Sequence, residues 1–497
     1  MCDSSTDGWR YTWETQSFSP NLKLFLFHSQ TLPSRACVNL NTRLSLADSY
    51  LLVTWNHTEQ PQDILLSMTL KVPLPNVLID SDATVHSRAL DDHIEVKLLL
   101  ILPVDHPLLY PVPSFEGDDN GYHRDGASSW KSSSGLHSLS SSEEGVNFNC
   151  RNCSSSLTRL PIRKFVELPS VNWQELADNW FGCCCCSYGG ASEKLVKNFV
   201  SAYSCAKGVC YTSLAAVTLS TSDIISFHCS EDDDANPLPI KQMNELKLED
   251  RSIKTNDEQL ENPPEIPSET THCGHHSSQS SHLDEANQTS DQKSFRNGFL
   301  GDGFISRSQN LSAEIEWKHF TCPKCSSFIG LYPCRDNGVS VDNGVRLYKC
   351  RISTSDLAED LFKEFYLEKM VSDQLVEKER DELSFRSAIR DVNKRSSVVR
   401  LVLVNSSTWS CTGWCDEPTG DRKVSVKPSL CPVVKVLYSA DTLEREVRDW
   451  EEKHRPDVLY MAKPLIDELL KYLEASRGFL PPSCTSVQGF YLSSLKR

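Results

Sequence analysis

The chain contains Cys150-Arg-Asn-Cys153 and, much further along, Cys322-Pro-Lys-Cys325. A gap of two residues lets both thiolates of a tight turn reach one metal ion, and two such turns complete the tetrahedral sulfur shell of structural zinc. The entropic cost of closing the long loop between them grows only slowly with its length. We therefore predict that Cys150, Cys153, Cys322 and Cys325 bind a structural Zn²⁺ and join two distant parts of the chain.

A second set of cysteines gives a local alternative. Cys334 and Cys350 follow the second pair closely enough to form a self-contained zinc ribbon with Cys322 and Cys325. Spacing alone leaves both sets open, as well as a third case in which the thiols are reduced and bind no metal.

Hydrophobic patterning predicts an α+β protein with several ordered parts. Short apolar or alternating runs with Pro- and Asp-rich turns indicate a small β-sandwich or barrel near the N-terminus. Helical and strand patterns alternate near the C-terminus, where one long helix is predicted from Leu357 to about Arg390. The predicted bounds are 8–112 for the N-terminal β-rich domain, 113–145 for a linker, 146–229 for the first zinc knuckle and a cysteine run, 230–312 for a disordered acidic and Ser-rich insertion, 313–352 for the second zinc knuckle, and 353–497 for the C-terminal α+β domain.

Charge and composition limit the classes of function. The formal net charge of −16 argues against binding to the phosphate backbone of nucleic acids and against docking on anionic membranes. The start of the sequence has no basic region followed by an apolar stretch, so we expect no signal peptide. A reducing compartment is then expected, in which clustered cysteines indicate metal binding or reactivity more often than disulfides. We expect the protein in the cytoplasm and nucleus.

Four consecutive cysteines form the most reactive-looking element of the sequence. They follow a predicted helix with aromatic residues on one face, and three interpretations are open. The thiols could be inert and buried, one could be a nucleophile that forms a thioester, or one could bind the active-site zinc of a partner enzyme and block it. The candidate reactive residues are Cys183, Cys184, Cys185 and Cys186, and the candidate partner-binding residues are Trp173, Trp180 and Phe181.

These motifs resemble the HECT-like family of ubiquitin-conjugating-enzyme-binding proteins. The resemblance rests on both cysteine pairs, on Leu168-Pro-Ser-Val-Asn-Trp173 with the cysteine run, on Phe328-Ile-Gly330 and on Val433-Val-Lys-Val-Leu-Tyr438. It implies a ubiquitin ligase that accepts ubiquitin from a conjugating enzyme and promotes proteasomal degradation of its substrates, with cyclin B as a partner. It also implies a non-enzymatic alternative, in which the protein binds and inhibits the metallo-β-lactamase-type endonuclease of mRNA 3′-end processing.

Other reactive motifs are weak in this sequence. Cys484 lies near the C-terminus, where HECT-type ligases carry their nucleophile, but its neighbours favour an ordinary structural cysteine. No Walker loop, dinucleotide glycine pattern, nucleophile elbow or HExxH motif is present. The sequence therefore supports thioester transfer first and zinc-directed inhibition as its rival, and a third interpretation is a zinc-stapled scaffold without thiol chemistry.

Overall fold

The computed structural model describes a large part of the chain. The described residues are 8–57, 66–109, 145–167, 205–213, 215–227, 316–334, 340, 342–355, 360–394, 396–415, 427–440 and 444–497. Strands outnumber helices among them. The four helices of this described part are α1 (Pro33–Ala36), α2 (Leu367–Glu382), α3 (Glu444–His454) and α4 (Lys463–Arg477).

Within the described residues, the strands form four sheets. The first half of the chain supplies β1 (Arg10–Gln16), β2 (Asn21–Phe27), β3 (Cys37–Ser45), β4 (Tyr50–His57), β5 (Leu66–Pro73), β6 (His86–Ala89), β7 (Ile94–Leu99), β8 (Asn147–Cys150), β9 (Lys164–Glu167), β10 (Val209–Thr212) and β11 (Ala216–Ser220). The second half supplies β12 (Glu316–Thr321), β13 (Phe328–Cys334), β14 (Gly344–Tyr348), β15 (Ile352–Ser355), β16 (Arg386–Asp391), β17 (Ser397–Trp414), β18 (Cys431–Ser439), β19 (Asp457–Met461), β20 (Ser486–Val487) and β21 (Phe490–Lys496).

The largest sheet has ten strands and contains both ends of the described chain. Its main path runs β20-β21-β18-β17-β1-β2-β7-β6, and β16 pairs with both β17 and β19. Strand β17 has 18 residues, with bulges between Leu403 and Thr408. On one side its first part pairs with β16 and its last part pairs with β1. A single long strand thus connects the N-terminal strands to the C-terminal ones.

The N-terminal strands pack in two layers. Strands β1, β2 and β7 of the large sheet face the three-stranded sheet β3-β4-β5 across one core. Trp13, Leu24, Val53 and Val72 are fully buried there, and their alternation with exposed residues is the pattern of strands that bury one face. The predicted strands in this region are confirmed. The separation into N-terminal and C-terminal domains stays a prediction, and β1–β17 pairing is a direct contact between them.

The central part contains a six-stranded sheet, in the order β12-β13-β14-β11-β10-β9, and the pair β8–β15. A second core joins this part to the C-terminal helices, because Trp317 and Tyr348 lie in the same buried cluster as α2 and α4. A third core lies under the two cysteine pairs. Gly330 is required where β13 meets β14, since a Cβ there would lie 1.8 Å from the carbonyl oxygen of Arg346.

Two C-terminal predictions need correction. The predicted helix from Leu357 to Arg390 is wrong at both ends, because α2 covers only Leu367–Glu382 and ends at Leu383 in the left-handed conformation, with φ 54°. The residues that follow form β16, since pairing with β17 and β19 outweighs the helix propensity of the charged run. The sequence pattern also predicts one final strand from Val487 to Leu492, but the structure has a hairpin of β20 and β21 there, which turns at Gln488 and Gly489, both with positive φ.

No helix of the described residues has an apolar stretch long enough to cross a membrane. The predicted linker and the acidic insertion fall on residues that lie outside the described ranges, apart from the last residue of the linker. Their bounds stay predictions from composition.

Candidate metal centre

The two cysteine pairs form the same local turn. Cys150 is the last residue of β8, and its N–H donates to the carbonyl of Ser155 while its carbonyl accepts from Ser154 N–H. Cys322 follows β12 and makes the equivalent two bonds with Ser327 and Ser326. Ser154 and Ser326 both have φ 57°, a left-handed conformation that lets the chain reverse direction sharply at each cysteine pair. Each turn is a knuckle.

The two knuckles bring four sulfur atoms together. The Sγ atoms of Cys150, Cys153, Cys322 and Cys325 all lie within 4.8 Å of one another. Across the knuckles, Cys150 Sγ lies 3.7 Å from Cys325 Sγ, and Cys153 Sγ lies 3.6 Å from Cys322 Sγ. A tetrahedral zinc ion with Zn–S bonds of about 2.3 Å requires S···S distances of about 3.8 Å.

The cluster is compatible with a zinc site. None of the four cysteines forms a disulfide, and four sulfurs at tetrahedral spacing are the donor set of closed, structural zinc sites. Within the described residues the group contains neither Cys334 nor Cys350, which are buried elsewhere. The structure therefore assembles the set that spans the sequence and not the local one.

The four thiols differ in how deeply they are buried. Cys150 and Cys322 are buried, whereas Cys153 and Cys325 are only half-buried. Burial raises the pKa of the Cys150 thiol to about 12, against hydrogen bonds from backbone N–H groups of its own knuckle. Hydrogen bonds from the side chain and backbone of Ser327 and from Asn152 lower the pKa of Cys325 to about 5. Donors aimed at sulfur thus favour the thiolate that a metal ion needs.

Cys322 lies between these extremes. Burial opposes its ionisation, but hydrogen bonds from Ser155 and from the backbone N–H groups of Cys325 and Lys324 outweigh this effect and lower the pKa of Cys322. Ser155 Oγ lies 3.0 Å from Cys153 Sγ and 3.4 Å from Cys322 Sγ. A serine of the first knuckle therefore contacts one sulfur of each knuckle.

The first knuckle is also connected to the C-terminal part through Arg151. Its guanidinium donates to the carbonyls of Phe365, at 2.7 Å, and of Phe362, and lies 3.7 Å from the Asp360 carboxylate. These residues immediately precede α2. The position of the metal cluster is therefore coupled to the start of a helix that packs in the C-terminal core.

Sequence reasoning identified the four cysteines and missed their supporting residues. Arg151, Asn152, Ser155 and Ser327 were not predicted to act at the site. One signal was available for the serines, because both pairs read Cys-x-x-Cys-Ser-Ser and the second serine of each contacts a cluster sulfur. The arginine and asparagine contacts depend on residues distant in sequence, and no local pattern indicates them.

The predicted reactive and partner-binding residues lie outside the described residues. These are Cys183, Cys184, Cys185, Cys186, Trp173, Trp180 and Phe181. They belong to residues 168–204, which connect β9 to β10, and those two strands are parallel neighbours in the six-stranded sheet.

Cys484 is described and is not an activated thiol. It is half-buried, and burial together with the nearby carboxylates of Asp92 and Glu14 raises its pKa, against a hydrogen bond from Ser483. A thiol that stays protonated at neutral pH is a weak nucleophile. This agrees with the structural role that the sequence favours for it.

The fold and site define a strand-rich protein in which four cysteines from two distant knuckles converge on a candidate metal centre. A family model described as HECT-like ubiquitin-conjugating enzyme (E2)-binding matches residues 23–492. The chain belongs to this family, as the sequence motifs predict. No curated protein and no solved structure gives a significant match.

Proposed function

We propose that this protein is a HECT-like ubiquitin ligase. It binds a charged ubiquitin-conjugating enzyme, accepts ubiquitin on a cysteine and passes it to a substrate that is then degraded by the proteasome. The observation that carries the proposal is the family match, which extends over residues 23–492 and so includes both knuckles and the cysteine run. It supports a role in the ubiquitin pathway through E2 binding.

The chemistry assigned to the cysteine run is two successive acyl transfers. A thiolate from Cys183–Cys186 attacks the thioester carbonyl of the charged enzyme, and that enzyme's cysteine leaves as a thiolate. A substrate lysine amine then attacks the new thioester and forms an amide bond to ubiquitin, while the C–S bond breaks, the ligase thiolate leaves and the nitrogen gives up one proton to solvent. Trp173, Trp180 and Phe181 would supply the aromatic anchors of the docking surface. Cyclin B is the proposed type of substrate partner, and the cytoplasm and nucleus are the proposed compartments.

The four clustered cysteines have a separate, structural role in this proposal. Cys150, Cys153, Cys322 and Cys325 would hold Zn²⁺, which four protein sulfurs leave without an open coordination position. The bound ion would supply cross-linking between the knuckles and no catalysis. The four cysteine ligands would then hold the end of β8 close to the end of β12.

The test is transfer of ubiquitin from a panel of charged conjugating enzymes to the purified protein. We expect a ubiquitin adduct that is lost on treatment with reductant, and we expect its loss when all four cysteines of the run are replaced by serine. Cys431→Ser is the matched control, because Cys431 is exposed and lies outside the run. The absence of any reductant-sensitive adduct on the wild-type protein would reject the thioester mechanism.

The same variants separate the ligase from the nuclease inhibitor proposed from the sequence. An inhibitor would form no adduct, but it would co-purify with the endonuclease in a manner that the four-serine variant abolishes. If the wild-type protein forms the adduct and the four-serine variant still binds the nuclease fully, these thiols do not act in inhibition.

A further inference from the structure

The candidate metal centre is not symmetric, although its two knuckles have the same backbone. The first cysteine of each knuckle is buried, with Cys150 and Cys322 exposing no more than 1% of their surface. The second cysteine of each, Cys153 and Cys325, is half-buried. Any exchange of ligands with solvent must therefore begin at Cys153 or Cys325.

Cys325 is covered by a side chain from the opposite knuckle. The amide Nδ2 of Asn152 donates to Cys325 Sγ at 3.6 Å and to Ser327 Oγ at 2.9 Å. Ser327 Oγ itself lies 3.2 Å from Cys325 Sγ. One exposed amide thus links the sulfur, the serine that supports it and the neighbouring knuckle.

The corresponding position of the second knuckle is Lys324, and it does not make the reciprocal contact. Its backbone N–H points at Cys322 sulfur, as the Asn152 N–H points at Cys150. Its exposed side chain hydrogen-bonds to no cluster sulfur within the part of the chain that the structure describes. Cys153 relies instead on Ser155 of its own knuckle. Of these two equivalent positions, Asn152 is the one whose side chain reaches the other knuckle.

We propose that Asn152 is a positioning residue that holds Cys325 in the ligand set and controls how fast the centre loses its metal. This rests on the proposed metal site. Cys325 is the sulfur that separates first, because it is the half-buried ligand whose position depends on a side-chain contact from the other knuckle. Outer contacts of this kind typically change metal affinity by about 10- to 100-fold when removed.

The experiment measures transfer of zinc from the full-length protein to a chromophoric chelator. We expect Asn152→Ala to release zinc about 10-fold faster than wild type, and Asn152→Asp to release it faster still. The aspartate keeps the shape of the side chain but replaces the donor N–H with a negative charge beside a thiolate. Lys324→Ala is the matched control from the equivalent position, and its rate is expected to remain within about 2-fold of wild type.

A second readout identifies the sulfur that leaves. During transfer, brief alkylation followed by peptide mass spectrometry should label Cys325 before the other three cysteines, and earlier in Asn152→Ala than in wild type. Metal content and far-ultraviolet circular dichroism before transfer establish that each variant is loaded and folded.

Two results would overturn the inference alone. One is an unchanged rate in both Asn152 variants, and the other is equal acceleration by Asn152→Ala and Lys324→Ala. Labelling of Cys150 or Cys322 first would also contradict it. A wild-type protein that contains no metal would instead overturn the metal site itself, and the inference with it.

Discussion

The two knuckles have nearly the same turn, yet they are placed differently in the molecule. The knuckle at Cys322 is the turn of the β12–β13 hairpin, so the surrounding sheet already fixes it. The knuckle at Cys150 ends a strand of four residues and depends on Arg151 and Asn152, which contact other parts of the chain. The comparison shows that a local motif builds each turn, whereas distant contacts decide how firmly the turn is held.

Loss of a buried sulfur should have the largest effect on zinc content and stability. We expect Cys150→Ser to lose zinc and to lower the melting temperature, because structural zinc contributes apparent binding free energies of about 10–16 kcal/mol in small zinc-finger peptides. Metal analysis and thermal unfolding measure both outcomes. The control is Cys334→Ser, which removes a buried cysteine of the local alternative set and should keep its zinc. Zinc loss in the control alone would favour the local ribbon.

Removal of the Arg151 contacts, which connect the first knuckle to the residues before α2, should have an intermediate effect on stability. Arg151→Ala leaves the carbonyls of Phe362 and Phe365 without their charged donor, so we expect the free energy of unfolding to fall by about 2–3 kcal/mol. Lys324→Ala, an exposed position on the second knuckle, should change it by less than about 0.5 kcal/mol. Urea unfolding of the zinc-loaded variants compares the two. An equal decrease in the free energy of unfolding for both variants would contradict the claim that the first knuckle depends more on distant contacts than the second.

The smallest effect is expected for a cysteine outside both knuckles. Because its folded-state pKa is raised, Cys484 is protonated at neutral pH and should be alkylated slowly at pH 7, with the rate rising only as the pH passes the ordinary cysteine value of about 8.5. Cys484→Ser should then leave ubiquitin transfer unchanged. Rapid labelling of Cys484 at pH 7, or loss of transfer in this variant, would make it a candidate nucleophile.

The sequence was informative where structure depends on neighbouring residues. The Cys-x-x-Cys spacing predicts each knuckle because the turn needs only six residues, and alternating apolar residues predict strands such as β2 and β4. Pro464 and the helical spacing of Leu465, Leu469 and Leu473 likewise predict a helix, which is α4, and these three leucines are fully buried.

Structure that depends on distant residues was not predictable in this way. No local pattern indicates that β1 pairs with β17 or that β17 is shared by two partners on one side. The residues of β16 read as the continuation of a charged helix, and only their pairing with β17 and β19 makes them a strand. Asn152 is missed for the same reason, since its target belongs to the other knuckle.

The central claim is that one zinc ion joins knuckles from distant parts of the chain. X-ray absorption at the zinc edge of the purified wild-type protein tests it most directly, together with the metal-to-protein ratio. The account predicts one zinc per chain with four sulfur neighbours at about 2.3 Å. A protein without zinc, or a zinc ion with nitrogen or oxygen among its nearest neighbours, would contradict it.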